Sequence, residues 1–282
     1  MVSSMRPQTL AEALAIRNNS DVMVYCGGSD VMVKHRSWAG IPVQFPKDVM
    51  YIGHLHELKS LVVDHNEIVI GAAVSYAQFL SDTRIPMAYK RPIEQIGSVA
   101  IRNVGTFAGN VCNASPAGDT LPMLYALDAK VVVMSVRGKR EVAIENFITG
   151  PGSTCLKSDE VLTHIIIPNK TFSHTYYYKV GTRKANAISK VSVFAVGDVV
   201  DYQVTDVRMA IGSCGPTIIR VRNAEKRIIG SNVLALTSNI DSILKCIDDS
   251  IAAIDDVRST KDYRSKVALN LIKTFLVKEL GK

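Results

Sequence analysis

Apolar residues in the first part of the chain follow a helical period and then short continuous runs. Thr9 and Glu12 have the spacing of a capping box, and the apolar positions behind them recur at helical intervals. The run Val22–Tyr25 is typical of a short buried strand, and it leads directly into the turn-rich residues Cys26–Asp30. This pattern predicts a helix, followed by a strand that ends in a glycine-bearing turn.

The next block of the chain alternates strands with short helices. Ser75 and Gln78 again have capping-box spacing, and helical periodicity runs from about Ile93 to Ile101 and from Asp119 to Leu127. The intervening stretch, Gly105–Gly118, lacks apolar periodicity and predicts a long loop. The strands predicted for this block are Leu61–Val63, Glu67–Ile70, Lys130–Val136 and Glu141–Ile144, the last two forming a hairpin.

Beyond Pro168 the pattern changes to longer strands and then to amphipathic helices. The strands Tyr176–Val180, Val191–Val199 and Val207–Ile211 predict a three-stranded antiparallel sheet. Two helices are predicted from apolar faces, made by Ile240, Ile243, Leu244, Ile247, Ile251 and Ile254 and by Val267, Leu271, Phe275 and Leu276. We therefore expect an α+β protein divided at residues 1–58, 59–170 and 171–282.

Composition and charge narrow the possible functions. The formal net charge is +7, but the basic residues are dispersed and the densest cluster is Arg137–Arg140, so a nucleic-acid-binding surface is disfavoured. A basic surface can equally meet an acidic partner or an anionic cofactor. No apolar stretch approaches the roughly 20 residues of a membrane span, and Arg6 and Pro7 interrupt any signal-peptide core. We expect a cytoplasmic protein without a membrane span.

The cysteines and histidines do not form a recognisable ligand pattern. The five cysteines are widely spaced, which fits neither a disulfide framework nor a CxxC metal site: Cys26, Cys112, Cys155, Cys214 and Cys246. If iron–sulfur chemistry belongs to this system, its thiolate ligands must lie on another chain. The pair His54 and His56 is more typical of a solvated turn than of a metal site. We expect no metal site on this chain.

Two glycine-bearing segments carry the candidate chemistry. The long segment Gly105–Asp119 has glycines that allow close backbone approach, small polar side chains, and a carboxylate suited to a ribose hydroxyl. It can bind a pyrophosphate, or it can be a surface loop that satisfies its own backbone. The segment Tyr25–Val31 can contact the same phosphates or form a plain strand-to-helix turn. Neither matches the Rossmann or P-loop pattern, so a different dinucleotide fold is required.

Together these segments resemble a known family. The pairing of Gly27–Asp30 with Ile101–Asn110 and Ala114–Asp119 is similar to the FAD-binding medium subunits of the xanthine dehydrogenase and carbon monoxide dehydrogenase family of molybdenum hydroxylases. Val161–Pro168 and Lys179 resemble later elements of the same family, so the likeness covers nearly the whole chain. Cys26, Phe107, Ala108 and Cys112 depart from the usual family residues, but none of them changes charge.

The resemblance implies a fold and a set of cofactor contacts. The fold is a vanillyl-alcohol-oxidase-like (PCMH-type) FAD domain of two α+β subdomains, followed by a small C-terminal domain with a three-stranded antiparallel sheet and helices. Ile96 aligns near a flavin contact, although a helix core residue is the simpler interpretation. The residues that the resemblance assigns to the cofactor are Cys26, Gly27, Gly28, Ser29, Asp30, Val31, Thr106, Gly109, Asn110, Cys112, Asn113, Asp119, Val161, Leu162 and Lys179.

The function that the resemblance implies is electron transfer in an oxidoreductase complex. FAD on this chain would receive electrons from [2Fe–2S] clusters on a small subunit, while a molybdenum (molybdopterin) cofactor on a large subunit would hydroxylate the substrate. The complex would be a heterotrimer, or a dimer of heterotrimers. No residue of this chain needs to be a catalytic acid or base. A stand-alone flavin-dependent oxidoreductase and a non-catalytic assembly protein with the same fold are the alternatives, and the acceptor stays open among NAD⁺, quinone, oxygen and ferredoxin.

Overall fold

The computed structural model describes residues 2–36, 38 and 40–281. The chain forms two compact units, and both are assembled from separate parts of the sequence. Unit 1 consists of Met1–Ile85, Ser98–Ala114 and Ala129–Asn169, and unit 2 consists of Pro86–Gly97, Ser115–Asp128 and Lys170–Lys282. The predicted boundaries near residues 58 and 170 stay a prediction, and their outer ends, residues 1 and 282, lie outside the described residues.

Unit 1 begins with a small parallel sheet. Its strands are β1 (Ser4–Met5), β2 (Met23–Tyr25) and β3 (Val49–Tyr51), in the order β1-β3-β2. Helix α1 (Leu10–Asn19) connects β1 with β2, and helix α2 (Val31–Lys34) follows the glycine turn after β2. The Thr9 hydroxyl accepts the Glu12 N–H as predicted, but the Glu12 carboxylate accepts from the N–H of Gln8 instead of the N-cap residue. The capping box at Thr9 is therefore only half formed.

The second sheet of unit 1 is a five-stranded antiparallel sheet in the order β4-β5-β10-β6-β7. Its strands are β4 (Leu61–Val63), β5 (Glu67–Gly71), β6 (Lys130–Ser135), β7 (Gly138–Ala143) and β10 (Val161–Pro168). The predicted hairpin is present as β6 and β7. A two-stranded ribbon, β8 (Ile148–Gly150) with β9 (Ser153–Thr154), lies between β7 and β10 in the sequence. The predicted strands are thus present, but β7 begins three residues earlier than predicted and ends at Ala143, because Ile144 starts a helix.

The helices of the central block differ from the prediction in two places. The helices are α3 (Tyr76–Ser81), α4 (Met87–Glu94), α5 (Val99–Val104), α6 (Phe107–Asn113), α7 (Leu121–Ala126) and α8 (Ile144–Phe147). The predicted Ile93–Ile101 helix is wrong, because the chain turns at Gly97, with φ of 49°, between α4 and α5. The predicted Gly105–Gly118 loop is also wrong, because α6 occupies half of it. The capping box of Ser75 and Gln78 is fully formed.

Tertiary packing explains why α6 forms in spite of poor local propensity. Glycine and asparagine are weak helix formers, so the sequence pattern alone did not indicate a helix. The ring of Phe107 is buried and packs 5.3 Å from Tyr76 and 4.8 Å from Phe79 between ring centroids. The Thr106 hydroxyl caps the helix by accepting the Gly109 N–H at 3.0 Å. The helix is therefore stabilised by burial of Phe107, Ala108 and Val111 and by one cap.

Unit 2 contains an antiparallel sheet and the C-terminal helices. The sheet has four strands, β11 (His174–Val180), β12 (Val191–Val200), β13 (Gln203–Gly212) and β14 (Ile219–Arg220), in sequence order. The three predicted strands are confirmed, and the fourth was missed because two residues carry no detectable alternation. The helices are α9 (Arg222–Ile228), α10 (Leu236–Asp248) and α11 (Lys261–Thr274).

The apolar faces of the last two helices pack on this sheet. Ile240, Ile243 and Ile247 of α10 are buried in one core with Val193 and Ile211 of the sheet. The predicted face of α10 is confirmed up to its end at Asp248, whereas Ile251 and Ile254 lie beyond that end. A π-helical turn, Phe275–Glu279, continues α11 and buries Phe275 and Leu276 in the same core. None of the described helices combines the length and apolar content needed to cross a bilayer.

Substitution of Gly27 tests the closest backbone approach in unit 1. A Cβ at this position would lie 1.9 Å from the Val104 carbonyl oxygen, so the backbone must move. We expect Gly27→Ala to lower the free energy of unfolding by about 1–3 kcal/mol, the usual cost of overpacking. Gly150→Ala is the matched control, because its Cβ would meet no atom within 4 Å and it should be near neutral. Urea unfolding measures the stability of both variants. Equal unfolding midpoints for Gly27→Ala and Gly150→Ala would contradict the close backbone approach at Gly27.

The pair of Glu160 and Arg140 predicts an acid-side loss of stability. Hydrogen bonds from the Arg140 guanidinium at 2.8 and 2.7 Å lower the pKa of Glu160 below its ordinary value of 4.5, although burial opposes this. The stabilisation is therefore complete above that pH and is lost as pH falls through the lowered pKa. We expect Glu160→Gln to flatten this acid-side fall of the unfolding midpoint. The exposed Glu141→Gln should retain it, and identical pH profiles for wild type and Glu160→Gln would contradict the account.

Candidate functional site

Unit 1 contains a cavity of about 430 Å³ beside the glycine turn that follows β2. Its walls come from α1, β2, α2, α6 and β10. Twelve residues that the sequence assigned to a cofactor line it together: Cys26, Gly27, Gly28, Ser29, Asp30, Val31, Thr106, Gly109, Cys112, Asn113, Val161 and Leu162. The fold thus brings together three segments that are far apart in the sequence.

The glycine turn has a conformation that leaves backbone donors free. Gly28 has φ of 74°, in the left-handed region that favours glycine. Its carbonyl accepts the Met32 N–H at 3.0 Å, which starts α2. Among the described residues, no protein acceptor receives the N–H groups of Gly28, Ser29 or Val31. Consecutive N–H groups of this kind can bind an anion.

Helix α6 adds a second set of donors to the same cavity. The first N–H groups of a helix have no intrahelical acceptor, and the first turn of α6 lies at the cavity wall through Thr106, Ala108 and Gly109. A Cβ on Gly109 would meet only the Thr106 hydroxyl oxygen, at 3.1 Å, and otherwise open space. A side chain here is therefore compatible with the backbone angle and needs only a small shift of the Thr106 hydroxyl. The glycine keeps space open beside the helix terminus.

The strand side of the cavity is apolar. Val161 and Leu162 of β10 are 2% and 4% exposed and line the cavity together with Val24 and Ile52. The register of β10 with β6 shifts between Leu162 and His164, which marks a bulge next to this wall. A flat aromatic ring is the type of group that such a wall accommodates.

Charged side chains surround the cavity, and sequence analysis missed several of them. Arg17 and Lys34 line it, although no motif identified them. The Arg17 guanidinium donates to the carbonyl oxygens of Val22 and Glu160, and burial lowers its pKa. No sequence pattern indicates that Arg17 lies at this cavity, because it is brought there by the packing of α1 within unit 1. Both cations can balance a phosphate charge.

The two cysteines of the cavity are neutral groups. Burial raises the pKa of Cys26 to about 11, so its thiol stays protonated at physiological pH. Its sulfur lies 3.8 Å from the Ala72 carbonyl oxygen. Cys112 is exposed and lies on α6, one turn after Gly109. Neither thiol introduces a negative charge beside the free N–H groups.

The remaining predicted residues lie elsewhere. Asn110 is on α6 but does not line the cavity, and Ile96 is 9% exposed and precedes the turn at Gly97. Asp119 and Lys179 belong to unit 2, where they form a buried ion pair with 2.7 Å between the carboxylate and ammonium. The resemblance assigns them as separate cofactor contacts, and no sequence pattern indicates that these two residues, sixty positions apart, form a pair.

The two side chains that bond to the Asp119 carboxylate, Lys179 and Ser189, both belong to unit 2. The second carboxylate oxygen accepts the Ser189 hydroxyl at 2.6 Å, and Lys179 also donates to the Gln95 carbonyl oxygen at 3.1 Å. Burial raises the pKa of Asp119 above its ordinary value, and the charge of Lys179 opposes that rise. Both oxygens of Asp119 therefore have protein partners.

The described residues contain no group of three or more side chains suited to a metal ion. The Nε2 atom of His54 is 2.7 Å from the Pro7 carbonyl oxygen, and His56 lies in a short 3₁₀ turn, His56–Leu58. The cavity offers a different chemistry, because both backbone donors and apolar side chains line it. This combination fits a dinucleotide with a pyrophosphate and a flat ring, and the space beside Gly109 is one that a side chain would fill.

Comparison with known proteins agrees with this geometry. Residues 1–170 match the family model described as the FAD binding domain in molybdopterin dehydrogenase. Residues 176–278 match the model described as the CO dehydrogenase flavoprotein C-terminal domain. Together the two matches account for nearly all of the chain.

Individual relatives are similar over their full length. The chain is 28% identical to the xanthine dehydrogenase FAD-binding subunit of Escherichia coli O157:H7, covering 98% of this chain and 94% of that protein. It is 29% identical to the nicotinate dehydrogenase FAD-subunit of Eubacterium barkeri, with 96% and 93% covered.

A solved structure shares the fold. A chain of carbon monoxide dehydrogenase from Hydrogenophaga pseudoflava superimposes with a TM-score of 0.89 at 21% identity, with 98% of this chain and 96% of that chain covered. The α+β architecture expected from the resemblance is thereby confirmed. On the two family matches, the chain belongs to the family of FAD-binding subunits of molybdenum-containing dehydrogenases, which are oxidoreductases.

Proposed function

We propose that this chain binds FAD and uses it to pass electrons from [2Fe–2S] clusters on a partner subunit to an acceptor. The observation that carries the proposal is the cavity of unit 1, which is lined by the glycine turn with its free N–H groups, by the first turn of α6 and by apolar residues of β10. Flavin accepts electrons singly and delivers them in pairs, which suits a junction between one-electron clusters and a two-electron acceptor.

The chain's own residues have distinct tasks in this proposal. The N–H groups of Gly28, Ser29 and Val31 bind one side of the pyrophosphate, and the first turn of α6 binds the other side. Val161 and Leu162 exclude water and hold a ring of the dinucleotide by contact. Contact of Asn110, Asp119 and Lys179 with the cofactor stays a prediction from the resemblance.

Cations near the cavity assist binding by balancing charge. Arg17 and Lys34 offset part of the negative charge of a pyrophosphate. The carboxylates of Asp21 and Glu160 are already paired with Lys47 and Arg140, and the carboxylate of Asp30 also lines the cavity. Cys26 remains protonated and adds no repulsion. Arg17 and Lys34 thus favour an anionic ligand, and no side chain has to act as an acid or base.

The partners follow from what this chain lacks and from what its relatives are named. Its five cysteines are dispersed, so cluster ligands must be supplied by another polypeptide. Relatives are named as FAD subunits or medium chains of xanthine, nicotinate and carbon monoxide dehydrogenases. We propose a small [2Fe–2S] subunit and a large molybdenum subunit as partners, in a heterotrimer or its dimer, located in the cytoplasm.

Substitution at Gly109 tests cofactor binding with little effect on folding. A Gly109→Leu side chain would enter the open space beside α6, where we propose that the pyrophosphate lies. We expect its affinity for FAD to fall roughly tenfold or more, equivalent to about 1.4 kcal/mol. Gly150→Leu is the matched control, because that glycine also faces open space but lies outside the cavity. Fluorescence titration of the refolded chain with FAD measures both affinities.

The same preparation separates this function from the alternatives. Wild type reconstituted with FAD, alone or with its partner chains, should be yellow and should release FAD on denaturation. Release of FMN, or no flavin uptake together with normal assembly of the partner chains, would favour an assembly protein and contradict the proposal. Turnover of a small substrate by the isolated flavoprotein would instead indicate a stand-alone flavin oxidoreductase.

A further inference from the structure

The hydroxyl of Tyr177 in unit 2 is buried and has no hydrogen-bond partner among the described residues. A buried polar group without a partner is destabilising, because it has lost its hydrogen bonds to water. Sequence analysis interpreted Tyr177 only as part of a strand. An unpaired hydroxyl in an otherwise well-satisfied sheet therefore requires a physical reason.

Strand geometry brings Tyr177 to the same face as Lys179. Side chains alternate along β11, so residues 177 and 179 project together while Tyr178 projects from the opposite face. Tyr178 is 51% exposed. The partners of Tyr177 and Lys179 in the register with β12 are Phe194 and Ser192.

The carboxylate of Asp119 pairs with the Lys179 side chain, which shares this strand face with Tyr177. It is ion-paired with Lys179 at 2.7 Å, and its negative charge is, after burial, the second cause that raises the pKa of Tyr177. The phenol therefore stays protonated and remains a donor. One carboxylate oxygen of Asp119 accepts the Ser189 hydroxyl and the other accepts the Lys179 ammonium, so both oxygens are occupied while the Tyr177 hydroxyl is unpaired.

Removing Lys179 from this pair would leave a buried carboxylate short of a donor. Such a carboxylate is strongly destabilising unless another group replaces the cation. Ser189 is fully buried and already bonded to the other oxygen. The Tyr177 hydroxyl, on the same strand face as Lys179, is buried and has no hydrogen-bond partner in the described structure.

We propose that Tyr177 is the reserve partner of Asp119. Its hydroxyl donates to the Asp119 carboxylate when the Lys179 ammonium turns to an anionic or carbonyl oxygen of a ligand. Both groups keep their protons, and only hydrogen-bond partners are exchanged. Tyr177 is thus a positioning residue for Lys179. Where the ligand is the flavin, the inference rests on the proposed function and deepens it.

Unfolding of the ligand-free chain tests the exchange independently of any cofactor. The variants are Lys179→Met, Tyr177→Phe and their combination, with Tyr178→Phe as the matched control on the opposite face. Tyr177→Phe alone should leave the urea midpoint unchanged or raise it, because it removes an unpaired hydroxyl. Combined with Lys179→Met, it should lower the midpoint by more than the sum of the two single shifts, whereas Tyr178→Phe with Lys179→Met should be additive.

Two results would overturn the reserve role. Additive shifts for Tyr177→Phe and Lys179→Met would mean that the hydroxyl never reaches Asp119, as expected if it bonds only to a buried water. A Lys179→Met chain that fails to fold while it still carries Tyr177 would also contradict the proposal. Measurements in mildly alkaline buffer keep the Asp119 carboxylate ionised.

Titration with FAD then tests whether the exchange serves the cofactor. Without a reserve donor Lys179 stays on Asp119, so Tyr177→Phe should bind FAD about two- to tenfold more weakly than wild type, the range of one hydrogen bond. Tyr178→Phe should equal wild type. If wild type takes up no FAD, the proposed function fails. The urea midpoints of the single and double variants still decide whether Tyr177 replaces Lys179 as the partner of Asp119. If wild type and Tyr177→Phe bind equally, the flavin is not the ligand of Lys179.

Discussion

The Val104 carbonyl oxygen lies where a Cβ of residue 27 would be, so the glycine turn after β2 can lie directly against the end of α5. This contact joins a residue near the start of the chain to the segment that leads into α6. The turn and the first turn of α6 consequently share one cavity, and the apolar strand β10 closes it. A side chain at position 27 would separate the two sets of N–H groups, and neither set alone is a specific site.

The glycines of unit 1 therefore have different physical roles. Gly27 is required by a backbone contact and Gly28 by its positive φ, so both are needed to build the turn. Gly109 is required by neither and instead keeps space beside the cavity. If FAD binding were lost after substitution at Gly27 or Gly28, the loss could come from a misfolded turn or from a missing cofactor contact. Position 109 separates the two better, because a Cβ there would meet only the Thr106 hydroxyl and no backbone atom.

Much of the fold was accessible from local patterns, whereas the exceptions depended on contacts distant in sequence. Alternation predicted the strands β5, β6, β12 and β13, and the spacing of Ser75 and Gln78 predicted a complete capping box. Helix α6 escaped detection because its stability comes from burial of Phe107 and not from helix propensity. The pairing of Asp119 with Lys179 could not be anticipated either, because no local pattern reports a contact between distant segments.

The central claim is that the free N–H groups of the glycine turn and of α6 bind the pyrophosphate of FAD. Amide hydrogen exchange of the chain with and without FAD tests this most directly. The account predicts slower exchange at Gly28, Ser29 and Val31 and at the first residues of α6 when FAD is added. FAD binding that leaves these amides unchanged and protects other segments would contradict it.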